Sequence, residues 1–156
     1  MTNPSIGVWP VSPAARLVLL FGGTFDPPHV AHVELPSLVR ERLGADAVVY
    51  IPAARSPHKP GGPEAHGDDR VEMLRLALER VEHVSISTIE LERADDQPSY
   101  TIDTVRQIRT LAGRDVELRW LIGADQAAAF HRWRAPDEII RLAQPLVMLR
   151  APHESA

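Results

Sequence analysis

His29 and His32 stand three residues apart in FGGTFDPPHVAH, residues 21 to 32, directly behind Gly22, Gly23, Thr24 and Phe25. Two imidazoles at this spacing share one face at the start of a helix. Glycines at a strand end let backbone N–H groups approach an anion, and a helix N-terminus adds partial positive charge. In that setting both imidazoles can donate hydrogen bonds to phosphate oxygens as charge builds in a transition state. Other uses of the same residues stay open. The histidines can pair on a metal, although this helix face offers no third ligand. They can be half-buried rings satisfied by carbonyls, and the glycines can serve only the turn. No GxGxxG and no GxxxxGK[ST] occurs, so neither a dinucleotide fingerprint nor a Walker loop is met. Lys59 also stands out, as the only lysine among 17 Lys and Arg residues. Its ammonium is a mobile point charge where guanidinium is a planar fork; the alternative is a surface residue without a role.

Such a pair needs a strand before the glycines and a helix after the histidines, and the apolar pattern supplies both. RLVLLF, residues 16–21, reads as a buried strand ended by the glycine pair. Leu35, Leu38, Val39 and Leu43 recur at helical spacing up to Gly44, with Pro36 near the first turns. DAVVYIP, residues 46–52, is a second strand, and the proline- and glycine-rich stretch after it is a functional or disordered loop. Asp68 and Asp69 cap a helix striped by Val71, Leu74 and Leu78. VSISTI, residues 84–89, is a strand, and residues 90–98 are a charged loop. Thr101 caps a helix closed by Gly113, and VELRWLI is the next strand. Asp125 is placed to cap a short helix, Pro136 starts another, and residues 146–149 form the fifth strand. Short strands alternating with helices indicate an α/β fold. The expected architecture is a Rossmann-like, doubly wound sheet of five parallel strands with helices on both faces. Residues 1–15 are expected as a flexible lead-in, and residues 16–156 as a single domain.

Composition narrows the function classes. The chain of 156 residues is long enough for one domain that buries roughly 70% of its unfolded surface. Without cysteine there are no disulfides, thiolate nucleophiles or thiolate metal sites, which fits a reducing compartment and makes cytoplasm the expected location. Apolar runs fall far short of the ~20 residues of a membrane helix, and the proline-bearing N-terminal segment does not read as a signal peptide. A formal net charge of -4 argues against nucleic acid as the main partner, because such binding needs clustered phosphate neutralisation.

GGTFDPPHVAH resembles the G-x-F-x-P-x-H-x-G-H signature of the nucleotidyltransferase superfamily. IPAARSPHKP, RVEMLRLAL, SYTIDTV, LIGADQ, FHRW and LVMLRAP are similar, in order and spacing, to blocks of the nicotinate-nucleotide adenylyltransferases. The resemblance covers residues 17 to 152. It implies that Gly22, Gly23, Thr24 and Phe25 form the loop under the ATP phosphates, and that His29 and His32 stabilise the α- and β-phosphate charge. It further implies Lys59 as a phosphate-facing cation, Thr101 as a backbone N–H donor to the pyridine carboxylate, and Asp125 as a ribose or helix-cap residue. Trp133 would stack on the pyridine ring, and Arg150 would meet the mononucleotide phosphate. The substrates implied are ATP, with Mg2+, and nicotinic acid mononucleotide; the products are deamido-NAD and pyrophosphate.

The sequence departs from that pattern at two places. Ala31 stands where the family has glycine before the second histidine, a change a helical residue accommodates. The family also continues through an element like I-S-[SA]-T-x-[IV]-R that holds the ATP β- and γ-phosphates, and no such arrangement occurs in these residues. That leaves a truncated chain, a shortened enzyme completed by a partner, or a non-catalytic nucleotide-binding module as readings. Nicotinamide mononucleotide and other phosphorylated acceptors are the enzymatic alternatives.

Overall fold

A computed structural model describes residues 3–54, 66–93 and 99–149. Its centre is a six-stranded sheet: β1 Ser5–Gly7, β2 Leu17–Gly23, β3 Ala47–Pro52, β4 Val84–Ser87, β5 Glu117–Gly123 and β6 Pro145–Met148. The strand order is β1-β4-β3-β2-β5-β6, and every neighbouring pair is parallel. Around it lie α1 Val30–Leu43, α2 Gly67–Ala77, α3 Ile89–Glu92, α4 Thr101–Ala112, α5 Ala124–Ala129, a 3₁₀ turn Phe130–Arg132, and α6 Pro136–Ala143.

Alternate residues of β2 and β3 feed two cores, one on each face of the sheet. Val18, Leu20, Val49 and Ile51 meet Val105 and Ile108 of α4 and Ala143 of α6. Leu19, Phe21, Val48 and Tyr50 meet Leu74 of α2 and Val33, Leu35 and Val39 of α1. Each fully buried aliphatic side chain contributes roughly 1.5–3 kcal/mol. The doubly wound architecture is therefore present as expected. From β2 the chain winds outward through β3 and β4 on one side and β5 and β6 on the other, so the carboxyl ends of β2 and β5 flank the switch point where α/β sheets bind ligands.

The strand count is six where the sequence pattern indicated five. The sixth strand lies within the expected lead-in, where Ser5, Ile6 and Gly7 pair with Ser85, Ile86 and Ser87. Three residues between prolines carry no alternation to detect, and their partner is remote in sequence. Trp9, Val11 and Ala15 then pack against the core on the α4 side. Asp46 fastens the base of β2, its Oδ2 accepting the Arg16 and Leu17 N–H groups at 2.7 and 2.9 Å. Those two bonds hold its carboxyl below the usual range. Residues 90–92, expected as part of a charged loop, and Ile89, expected to end the strand before it, form α3 instead, with Ile89 and Glu90 both buried.

Candidate active site

Gly22 and Gly23 are the last residues of β2 rather than a turn beyond it, paired with Ile51 and Pro52. Among the described glycines the left-handed ones are Gly44 and Gly113, so this pair is not required for backbone dihedrals. The requirement is space. A Cβ on Gly22 would stand 2.8 Å from the Trp120 ring, and one on Gly23 would stand 3.1 Å from the Phe25 ring. The turn proper begins at Thr24, and Phe25 takes the left-handed conformation at φ 50°. A side chain there costs of order 1–3 kcal/mol. Burial holds it: the Phe25 ring is 2% exposed and packs 5.5 Å from Phe21, 5.3 Å from His32 and 5.7 Å from Tyr50, centre to centre. From α2, Arg70 Nη1 donates to the Thr24 carbonyl at 2.9 Å and the Ala53 carbonyl at 2.6 Å, tying the turn to the end of β3.

His29 is the N-cap of α1 and His32 its third residue. The His29 N–H donates to His32 Nδ1 at 2.9 Å. Nδ1 is therefore the acceptor nitrogen, and the neutral ring carries its proton on Nε2. Burial first, and then the neighbouring His29, pull the His32 pKa below its ordinary value. Near neutral pH the ring is thus an uncharged Nε2–H donor in a fixed tautomer. The two rings lie 5.1 Å apart, bearing out the shared face expected from their spacing. Tyr50 Oη donates to the His32 carbonyl at 2.6 Å, and burial pushes its phenol up, so it stays a donor.

The opposite wall comes from later in the chain. Tyr100, not Thr101, is the N-cap of α4, and it makes no side-chain capping bond; Thr101 is the first helical residue. The N–H groups of that first turn have no intrahelical acceptor, as at every helix start. Asp125 is likewise not a cap. Gly123 caps α5 and donates its N–H to Gln126 Oε1 at 3.1 Å, leaving Asp125 exposed in the first turn. Both helices begin earlier than their capping residue types suggest, by one residue at Thr101 and by two at Asp125, because Tyr100 and Gly123 are the last extended residues before each. Trp133 closes the 3₁₀ turn with its ring 5.1 Å from Phe130.

These walls face one cavity of about 1460 Å³. It is lined on one side by Gly22, Gly23, Thr24, Phe25, His29 and His32, and on the other by Thr101, Asp125 and Trp133. Ala31 lines it as well. The volume exceeds the roughly 300–1,000 Å³ of a single small-molecule site and suits two nucleotide-sized reactants. Lys59 and Arg150 fall outside the described residues. Among the described residues no three His, Asp or Glu side chains gather as metal ligands.

Two residues to which the motifs assign no site role are Arg70, which opens the RVEMLRLAL block, and Glu90. Glu90, 5% exposed, lines the cavity and accepts from Thr104 Oγ1 at 2.8 Å. Thr104 Oγ1 in turn accepts from Arg93 Nη2 at 2.8 Å. Burial raises the Glu90 pKa, opposed by bonds from Thr104 and Ser99 and by the charges of Arg93 and Arg70. Arg70 and Glu90 thus relate the Thr24 turn electrostatically to the start of α4. The available signal was a charge on the buried side of its segment: Arg70 one residue from Val71 and four from Leu74, Glu90 beside Ile89.

The cytidylyltransferase-like family model matches residues 20–154. A probable nicotinate-nucleotide adenylyltransferase of Chromobacterium violaceum is 36% identical over 88% of this chain and 64% of its own length. One of Aquifex aeolicus is 39% identical over 85% of this chain and 76% of its own. The chain thus spans somewhat under two thirds of the length of the first of these relatives. Among solved structures, a Plasmodium falciparum nicotinic acid mononucleotide adenylyltransferase complexed with NaAD is similar at a TM-score of 0.72 and 14% identity, over 90% of this chain and 68% of that one. A putative nicotinate-nucleotide adenylyltransferase from Vibrio parahaemolyticus is similar at 0.68 and 16% identity, over 85% and 77%. These two support the fold. No helix among the described residues is long and apolar enough to cross a membrane.

Proposed function

The chain belongs to the cytidylyltransferase-like family, among the nicotinate-nucleotide adenylyltransferases, and from that premise we propose that it joins ATP to nicotinic acid mononucleotide. The observation that carries the proposal is a tautomer-fixed His32, beside His29, in one cavity with the Thr101 helix start and Trp133. An oxygen of the mononucleotide 5′-phosphate attacks the ATP α-phosphorus. One P–O bond forms, the α–β bridging P–O bond breaks, and its electron pair leaves with pyrophosphate. The attacking phosphate is already ionised, so no general base is needed and the protein supplies position and electrostatics.

The cavity residues divide that work. The Nε2–H of His32, together with His29, donates to the oxygens on which charge builds. Gly22 to Phe25 underlie the polyphosphate, with Arg70 keeping the turn in register. Thr101 presents its backbone N–H to the pyridine carboxylate, Trp133 stacks on the ring, and Asp125 reaches the ribose. Lys59 and Arg150 enter on sequence resemblance as phosphate-facing cations. Magnesium arrives as part of the MgATP substrate, neutralising phosphate charge, a mode that needs few protein ligands.

Incubating the protein with MgATP and nicotinic acid mononucleotide, then separating the products chromatographically, should yield deamido-NAD and pyrophosphate in equal amounts. Nicotinamide mononucleotide and phosphopantetheine serve as rival acceptors. If ATP binds by calorimetry while no acceptor is adenylylated, the protein is a nucleotide-binding module and the proposal is wrong.

A further inference from the structure

Arg134 follows Trp133 directly, and its guanidinium carbon lies 3.7 Å from the centre of the Tyr100 ring. This contact joins the segment after the 3₁₀ turn to the N-cap of α4. Arg134 and Tyr100 both line the cavity, as do their neighbours Trp133 and Thr101. A guanidinium stacked on a ring commits one π face, while its N–H donors lie in the plane and stay available at the edge. Among the described residues no carboxylate forms an ion pair with Arg134, in contrast to Arg75, Arg106 and Arg119, which each meet a glutamate. Stacking therefore limits the orientations of a long exposed cation and keeps its planar fork open to an anion.

The first N–H groups of α4, adjoining Tyr100, favour negative charge at the same place. The side-chain fork and the helix start thus sit on one stretch of wall beside the Trp133 ring. We propose that Arg134, held by Tyr100, is a specificity-determining residue that makes the acceptor subsite prefer a mononucleotide with an anionic ring substituent over its neutral amide counterpart. The inference rests on the adenylyl-transfer reading for the identity of the acceptor, and it adds a side-chain charge to what the backbone alone provides. A bidentate, charge-assisted pair with a carboxylate has no equal with a carboxamide, which offers the guanidinium one neutral carbonyl acceptor and turns an NH2 group toward its second donor.

The test measures kcat/KM for nicotinic acid and nicotinamide mononucleotides with MgATP, and the dissociation constant of each without ATP by calorimetry. Wild type is compared with Arg134→Gln, Arg134→Lys and Tyr100→Leu. The acid-to-amide ratio should fall about tenfold or more in Arg134→Gln, through KM rather than kcat. Arg134→Lys should recover part of it by charge alone, and Tyr100→Leu should lie between wild type and Arg134→Gln. Thermal midpoints and ATP dissociation constants report whether each variant keeps its fold. A wild-type ratio in well-folded Arg134→Gln would overturn the proposal. If wild type binds the acid preferentially and loses that preference in Arg134→Gln, yet forms no dinucleotide, the subsite stands and the transfer reading fails.

Discussion

The cavity wall proposed for the polyphosphate rests on one continuous stretch, residues 21–32. The wall proposed for the acceptor is assembled from Tyr100 and Thr101 of one helix start, Asp125 of another, and Trp133 and Arg134 beyond a 3₁₀ turn. The first wall is locked from beneath by rings that are themselves core, since Phe21, Phe25 and Tyr50 are all buried. Surface residues carry more of the second, where Asp125, Arg132 and Arg134 are exposed. The division suits the reaction. A group that stabilises charge at a reacting phosphorus must be preorganised, whereas a wall that selects an acceptor can tolerate side chains that settle on binding.

The largest expected effect strikes the rigid wall. His32→Asn keeps an oxygen to accept the His29 N–H but removes the Nε2–H donor. It should lower kcat by about 10²–10³ with little change in thermal midpoint, measured by product formation and calorimetry. Equal losses of activity and stability would mean that His32 serves the fold alone. Next, Arg70→Met removes the donor to Thr24 and Ala53 and a positive charge that offsets buried Glu90. It should cost about 3–5 kcal/mol of stability in denaturant unfolding and raise the KM for ATP. On the acceptor wall, Trp133→Ala should weaken mononucleotide binding about 10- to 100-fold while ATP affinity holds, as loss of one stacked ring predicts. Weakening of both ligands would erase the distinction between the walls.

The smallest effect is a slope. His32 titrates below its ordinary 6.5, so between its folded and unfolded values the unfolded chain holds more protons. Stability must then decline as pH falls through that window. The decline should be shallower in His32→Asn, read from thermal midpoints between about pH 7.5 and 5. Asp46 and Glu90 titrate in both proteins and cancel in the comparison.

The contrast between the walls also explains how far the sequence could be read. FGGTFDPPHVAH announces strand, turn and helix N-terminus locally, so the His29–His32 face was legible before any packing was known. The reason for the glycines was not, because Trp120 lies about a hundred residues downstream of Gly22 and only the folded sheet brings its ring beneath that position. Thr101 and Asp125 do line the cavity, but not as the caps their residue types suggested. Caps are set by where the preceding chain stops being extended, and Tyr100 and Gly123 are still extended. The roles of Arg70 and Glu90 escaped the motifs because each makes sense only through partners on other elements. Their two buried charges form no local pattern.

The pairing of β1 with β4 joins residue 5 to residue 85 in parallel, with Ser87 Oγ donating to the Val8 carbonyl as a further tie. A contact so distant along the chain closes a large loop, and only three residues of ladder repay that entropy. It belongs to the contacts that form late and raise the contact order of an otherwise locally wound fold. In native-state hydrogen exchange, the Gly7 amide should exchange by local opening long before those of Val48 or Leu20, while the Thr24–Phe25 turn after the central strand stays closed. The edge of the sheet can thus breathe on its own timescale without disturbing the histidines.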